Sequence, residues 1–97
     1  MVKHIVIFRL SGTPQERLEL ATAFKNALEA LPAQIPVLHS MEVGINQNPE
    51  ETCDLVLTAV VGSIAEVDTY AKHPAHVEAA SLIKGRAELR ACVDYEF

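Results

Sequence analysis

The sequence has few of the features that mark nucleic-acid-binding or membrane proteins. Only eight lysines and arginines accompany 13 acidic residues, for a net charge of −5, and no basic run occurs. This composition argues against nucleic-acid and membrane partners, because phosphate backbones and anionic lipids both demand clustered positive charge. No stretch approaches the roughly 20 apolar residues of a membrane-spanning helix, and the amino terminus runs directly into a strand pattern. We therefore expect a cytoplasmic protein.

Cysteine is also scarce, and its placement forms no metal or redox motif. Cys53 and Cys92 lack the close spacing of zinc ligands or of a redox pair. The isolated pair His73 and His76 offers fewer than the about three or four ligands of a zinc site. We expect two free thiols packed inside strands, no metal and no other cofactor.

The residues that are present predict a single α+β domain spanning residues 1–97. Residues 2–10 are rich in β-branched and aromatic side chains and end at a Ser-Gly turn, which predicts a first strand. Thr13 and Glu16 form a capping box around Pro14, so a helix begins there. Its apolar stripe comprises Leu18, Ala21, Phe24, Leu28 and Leu31.

Three more strands and two short helices are expected after this helix. Apolar and β-branched runs predict strands at 37–45, 53–61 and 89–97. Ser63 and Glu66 form a second capping box that opens a short helix. Pro74 interrupts that helix and begins another, which runs to about Lys84-Gly85. The order β-α-β-β-α-α-β predicts a ferredoxin-like fold, a four-stranded antiparallel sheet with its helices on one face.

The strands are apolar on both faces, although the helices cover only one of them. Ile5 and Ile7 in the first strand, and Val56 and Val60 in the third, lie opposite the residues expected to face the helices. Full burial of each such side chain is worth about 1.5 to 3 kcal/mol. Isologous packing of two sheets would bury them, so we expect a homodimer that forms a dimeric α/β barrel.

Histidine supplies the candidate chemistry. His4 shares the Val6 and Phe8 face of the first strand, where a polar ring requires a hydrogen-bond partner. One interpretation is a core histidine whose partner is structural. The other is that His4, Tyr70 and His76 converge on a cavity between sheet and helices, where imidazoles suit proton transfer near neutral pH.

The sequence resembles the stress-responsive A/B barrel (Dabb) family over essentially its whole length. The resemblance rests on Val2-Lys3-His4-Ile5-Val6, Met41-Glu42-Val43-Gly44 after Ile35-Pro36, Tyr70 with His73-Pro74-Ala75-His76, and Val93-Asp94-Tyr95. Members of this family are dimeric α+β barrels of about 100 residues. They include plant stress-induced oligomers and olivetolic acid cyclase, a cofactor-free polyketide cyclase that closes a ring by an aldol-type condensation.

The resemblance implies roles for four residues of this sequence. His76 would be the general base, hydrogen-bonded to Asp94, while Tyr70 and His4 would position and polarise a carbonyl oxygen. A ligand would lie against a set of mainly apolar side chains and one further histidine: Val6, Phe8, Phe24, Leu28, Leu57 and His73.

Three functions remain open at this level. The first is binding of a small organic ligand, or another stress-related role, with the histidines as a structural network. The second is a cofactor-free lyase or cyclase acting on a small carbonyl compound, and a third, supported only by the barrel architecture, is a cofactor-free monooxygenase. With two tyrosines, three phenylalanines and no tryptophan, the chain departs from the cyclase it resembles, which keeps an aromatic-lined tunnel for a long alkyl tail, so a smaller or different ligand, or none, is expected.

Overall fold

The fold is a four-stranded antiparallel sheet with its helices packed on one face. A computed structural model describes all 97 residues. Its elements are β1 (Val2–Leu10), α1 (Pro14–Glu29), β2 (Ser40–Ile45), β3 (Leu55–Val61), α2 (Ile64–Lys72), α3 (Pro74–Ser81) and β4 (Ala87–Glu96), with a 3-10 turn at Leu31–Ala33. The strands are ordered β2-β3-β1-β4, which confirms the predicted ferredoxin-like arrangement.

Local capping explains where two of the helices begin. The Thr13 hydroxyl accepts a hydrogen bond from the Glu16 amide, and the Glu16 carboxylate accepts one from the Thr13 amide, so the first capping box is complete. At α2 only half of the predicted box forms. Ser63 accepts from the Glu66 amide at 3.3 Å, but the Glu66 carboxylate contacts the Ser63 hydroxyl rather than its amide.

Several predicted boundaries and one predicted core residue are wrong. β2 begins at Ser40 rather than residue 37, and β3 begins at Leu55 rather than residue 53, so Cys53 lies in a loop. β4 begins two residues earlier than predicted and ends at Glu96. α3 ends at Ser81 because the following residues form tighter, 3-10-type turns toward Gly85, whose φ is +77°. Leu18 is 49% exposed, since this part of α1 lies beside the polar loop after β2.

The core lies between the sheet and the helices. Along β1 and β3 the buried residues alternate with residues of the opposite face, and α1 contributes Ala21, Phe24 and Leu28 to the same core. None of the helices is both long and apolar enough to cross a membrane.

The opposite face of the sheet is apolar and uncovered in the single chain. Ile7 is 38% exposed, and Val56 and Val60 are only partly buried. β4 adds Leu89, Val93 and Tyr95, all exposed, because pairing with β1 turns its apolar row toward this side. The expectation that the strands are apolar on both faces is therefore confirmed.

Candidate functional site

A cleft of about 600 Å³ lies between the sheet and the helices. Val6 and Phe8 from β1, Leu57 from β3 and Phe24 from α1 form part of its apolar lining. A neighbouring cavity of about 400 Å³ lies toward the edge of the sheet. The residues that line both cavities are His4, Tyr70, Ala71, His76 and Arg90.

His4 is held by a carboxylate from the neighbouring strand. Its Nδ1 lies 2.5 Å from Oδ1 of Asp94, the residue directly opposite it in the β1–β4 pairing. His4 is only 7% exposed, so the bond supplies the partner that its buried ring requires. An ionised carboxylate can only accept hydrogen bonds, which places the proton on Nδ1.

The predicted hydrogen bond between His76 and Asp94 is wrong. His76 Nδ1 instead lies 2.9 Å from the Ala71 carbonyl oxygen, near the end of α2. The strand register brings Asp94 opposite His4, while the break at Pro74 folds α3 back so that His76 meets the last turn of α2. Asp94 therefore orients a different imidazole from the one expected.

The Ala71 carbonyl determines how His76 can act. A carbonyl oxygen only accepts hydrogen bonds, so Nδ1 of His76 carries the proton and Nε2 retains a lone pair. Burial lowers the pKa of His76 below its ordinary value, although the bond to Ala71 opposes this effect. The ring is consequently neutral near pH 7, and the chemistry open to its free nitrogen is that of a base or a hydrogen-bond acceptor.

Tyr70 lies between the two histidines and is almost wholly buried. Its ring centroid is 4.6 Å from that of His76 and 5.9 Å from that of His4. Tyr70 is 1% exposed, yet its hydroxyl has no hydrogen-bond partner within the protein. Burial raises the pKa of this phenol, so it remains a neutral donor at any ordinary pH.

Comparison with known proteins identifies the family. The family model described as the stress responsive A/B barrel domain, Dabb, matches residues 2–97. The chain belongs to the Dabb family. No curated protein matches this Dabb domain.

Solved structures share the fold of this Dabb domain along its whole length. A dimeric protein of unknown function with a ferredoxin-like fold from Bacteroides fragilis is 46% identical, with a TM-score of 0.94 over 99% of this chain and 95% of that one. A dimeric ferredoxin-like protein of unknown function from Thermobifida fusca is 26% identical, with a TM-score of 0.77 over 99% and 90%. An antibiotic biosynthesis monooxygenase is 14% identical, with a TM-score of 0.77 over 100% and 98%, and shows the fold alone.

The six predicted ligand-contacting residues divide into two groups. Val6, Phe8, Phe24 and Leu57 line the cleft, and their contact with a ligand stays a prediction. The other two do not line it. Leu28 is fully buried in the core beneath α1, and the His73 ring accepts a hydrogen bond from the Ala75 amide, capping α3.

Two residues near the histidines escaped the sequence analysis. Arg90 lines both cavities, and the Cys92 sulfur lies 3.4 Å from Nδ1 of His4. The only available signal was the alternation of β4, which places both on the face of Asp94. Cys92 was expected to pack inside a strand, and it does lie in β4, but its side chain is exposed.

The cluster of His4, Cys92 and Asp94 is the group with the donors for a metal ion. One ligand atom from each lies within 4.8 Å of the others, and three protein ligands is about the number in a catalytic zinc site. Nδ1 of His4 already donates to Asp94, so a cation would have to replace that proton. Partial burial and the Asp94 carboxylate raise the pKa of the Cys92 thiol, which favours its protonated form.

Proposed function

We propose that this Dabb domain binds a small organic molecule in the cleft between its sheet and its helices. The buried hydroxyl of Tyr70 carries the proposal. An unpaired buried hydroxyl costs about 1–3 kcal/mol. The Tyr70 hydroxyl is buried and unpartnered, and Tyr70 is one of the residues that line the cleft. A ligand oxygen that accepts a hydrogen bond from it would offset that cost.

The rest of the lining fits the same kind of ligand. Small-molecule sites are typically clefts of about 300–1,000 Å³ with mainly apolar walls and a few polar groups that orient the ligand. Here Phe8, Phe24 and Leu57 offer apolar surface, while His76 and Tyr70 offer one acceptor and one donor. These groups suit a compact molecule with an apolar body and at least one carbonyl, carboxyl or hydroxyl oxygen.

A fragment screen by two-dimensional amide NMR tests this proposal. We expect the binding fragments to shift the amides of Ala71, Val77 and Ile83, which line the cleft. Tyr70→Phe should weaken the best fragment about tenfold, since one hydrogen bond is lost. The control is Thr22→Val, which removes a hydroxyl from an exposed residue of α1 outside the cleft. Fragments that shift only other surfaces, or bind Tyr70→Phe unchanged, would contradict the proposal.

We also propose that the domain functions as a homodimer with the two open sheet faces in contact. Ile7, Leu89 and Val93 are large, apolar and exposed on this face of the single chain. Contiguous apolar surface of this kind is typical of an interface. The relatives from Bacteroides fragilis and Thermobifida fusca are described as dimeric. The cleft lies on the other side of the sheet, so both copies would bind ligand independently.

A cofactor-independent lyase or cyclase is the second candidate, and the tautomer of His76 favours it. Nε2 of His76 would remove a proton α to a substrate carbonyl, while the Tyr70 hydroxyl donates a hydrogen bond to the enolate oxygen. The enolate carbon would attack a second carbonyl within the substrate, and the resulting alkoxide would regain the proton from His76. His4, oriented by Asp94, would help to position the second carbonyl.

Deuterium exchange tests this second candidate without knowledge of the substrate. A panel of small ketones and β-diketones in D2O should lose α-protons faster with the protein than without it, as followed by NMR. His76→Gln should slow this catalysed exchange about 100-fold or more. His39→Gln is the control, because His39 is exposed and does not line the cleft. Equal exchange rates in both variants would remove His76 as the base.

A further inference from the structure

The charged residues that line the cleft are basic, whereas the chain as a whole has a negative net charge. We infer that the ligand of the cleft is an organic anion, a carboxylate or a phosphate with an apolar body, and that Arg90 binds its charged group. This inference rests on the proposed function of the cleft. It adds the chemical class of the ligand and one residue that selects it.

The lining contains positive charge and no negative charge. The chain has 13 acidic residues and a net charge of −5, yet none of the 16 residues lining the cleft is Asp or Glu. Two of them, Lys84 and Arg90, are basic. A site with two cations and no acidic neighbour in its wall is complementary to an anion.

These two basic side chains are also the ones that no carboxylate, carbonyl group or aromatic ring of the protein engages. Four of the others form ion pairs, namely Arg9, Arg17, Lys25 and Lys72. Arg86 donates hydrogen bonds to Ser11, and the Lys3 ammonium lies 4.6 Å from the centre of the Phe97 ring. Neither Lys84 nor Arg90 forms an ion pair, and both line the cleft. Within the protein Arg90 interacts with the Cys92 thiol, where its charge and its hydrogen bond oppose the rise of the thiol pKa.

The acidic residues that flank Arg90 along β4 are engaged elsewhere. Asp94 accepts the hydrogen bond from His4 at 2.5 Å, and Glu88 lies 3.8 Å from Arg9. The residue opposite Arg90 on β1 is Phe8, which is apolar. Neither of these two carboxylates therefore forms an ion pair with the Arg90 guanidinium.

The position of Arg90 suits an anion whose apolar part enters the cleft. A guanidinium forms paired, charge-assisted hydrogen bonds with carboxylates and phosphates. Arg90 is exposed at the edge strand but lines the cleft together with Tyr70 and Phe8. An anionic head could contact Arg90 while the attached apolar body covers Phe8 and Leu57.

Three probes that share one eight-carbon tail test this inference on the full chain. Octanoate, octyl phosphate and octan-1-ol are titrated into the protein by calorimetry at low and at high salt. We expect at least one anion to bind about tenfold more tightly than the alcohol, because charge-assisted hydrogen bonds are stronger than neutral ones. This preference should shrink at high salt, since Arg90 is exposed and its charge is screened.

Variants then assign the preference to Arg90. Arg90→Met should remove the preference for the anion over the alcohol while leaving the affinity for octan-1-ol within about twofold. Arg90→Lys should retain part of that preference. Lys84→Met should reduce it to a smaller extent. Lys72→Met is the control, because Lys72 is also exposed but lies outside the cleft.

Each possible result either supports the assignment of an anionic ligand to Arg90 or contradicts it. Stronger binding of octanoate than of octyl phosphate would identify a carboxylate ligand, and the reverse order a phosphate. Equal binding of all three probes would overturn the anionic assignment while leaving the proposed function intact. An anion preference that survives Arg90→Met would refute the role of Arg90, and failure of every probe to bind would count against both proposals.

Discussion

Replacing Tyr70 with phenylalanine should make the domain more stable while weakening its ability to bind a ligand. The change removes one oxygen atom and leaves the ring unchanged. Tyr70 is 1% exposed, and its hydroxyl has no partner within the protein. The ring contacts with His4 and His76 involve only atoms that phenylalanine retains, so packing should be preserved.

The expected gain follows from the cost of the unpaired hydroxyl. Removing such a group from a buried position should raise the free energy of unfolding by about 1–3 kcal/mol. For a domain of this size, each kcal/mol raises the melting temperature by about 4–8 °C. The raised pKa of the phenol means that it stays neutral at ordinary pH, so the gain should not depend on pH between about 5 and 9.

Calorimetry of ligand-free protein measures this effect. Both proteins must be compared at the same chain concentration, because the melting temperature of a dimer depends on concentration. Thr22→Val is the control and should alter stability by no more than about 0.5 kcal/mol, since it removes a hydroxyl from an exposed residue of α1.

A loss of stability in Tyr70→Phe would refute this explanation. It would mean that the hydroxyl is hydrogen-bonded in the folded protein and has a structural role. A gain in stability together with unchanged ligand affinity would leave the unpaired hydroxyl established but remove it from ligand binding. Only the combination of higher stability and weaker binding supports the role proposed for Tyr70.

Three further predictions concern the dimer, pH and the thiols. Ile7→Lys should raise the dimer dissociation constant at least about tenfold by placing a charge in the apolar face of the sheet. Leu82→Lys, on the helical side, is the control and should leave the dissociation constant unchanged. Light scattering measures the mass of each variant, and a stable wild-type monomer at micromolar concentration would contradict the dimer. Because burial lowers the pKa of His76 below 6.5, the unfolded chain binds the proton more readily, so stability should fall as the pH drops below about 6.5. Urea titrations at several pH values should show that the free energy of unfolding decreases less at low pH in His76→Gln than in the wild type. An identical pH dependence in both proteins would argue against His76 as the cause. Thiol titration of the denatured, non-reduced protein should find two free thiols, Cys53 and Cys92, because both are free cysteines and β1 lies between β3 and β4. Absence of free thiols in a chain that is not cross-linked to another chain would mean an intrachain disulfide and would contradict the strand order.

Local patterns were sufficient to predict the elements and their general arrangement. The capping box of Thr13 and Glu16 forms as expected because both partners lie within one turn of the helix. Pro74 separates α2 from α3 because proline removes a backbone donor and restricts the residue before it. The alternation of Ile5 and Ile7 with Val6 and Phe8 identified two apolar faces, since side chains along a strand point alternately to opposite sides.

The contacts of the site were decided by tertiary structure. Asp94 and His4 are 90 positions apart, and only the register between β4 and β1 brings them opposite each other. The alternation of β4 allowed Asp94 to face either the helices or the open side, and nothing local distinguished the two. The same register placed Arg90 and Cys92 beside the cleft, where the sequence offered no motif to mark them.

The sequence by itself therefore determined which segments form strands, where the helices begin and which kinds of reactive side chain are present, because these features depend on residues close together in the chain. Tertiary structure decided that Asp94 holds His4 rather than His76, and that Tyr70 lies buried with an unpaired hydroxyl. Such outcomes depend on strand pairing and on the angle between short helices. A one-residue change of register would reverse every side chain of β4, since successive residues of a strand face opposite sides of the sheet.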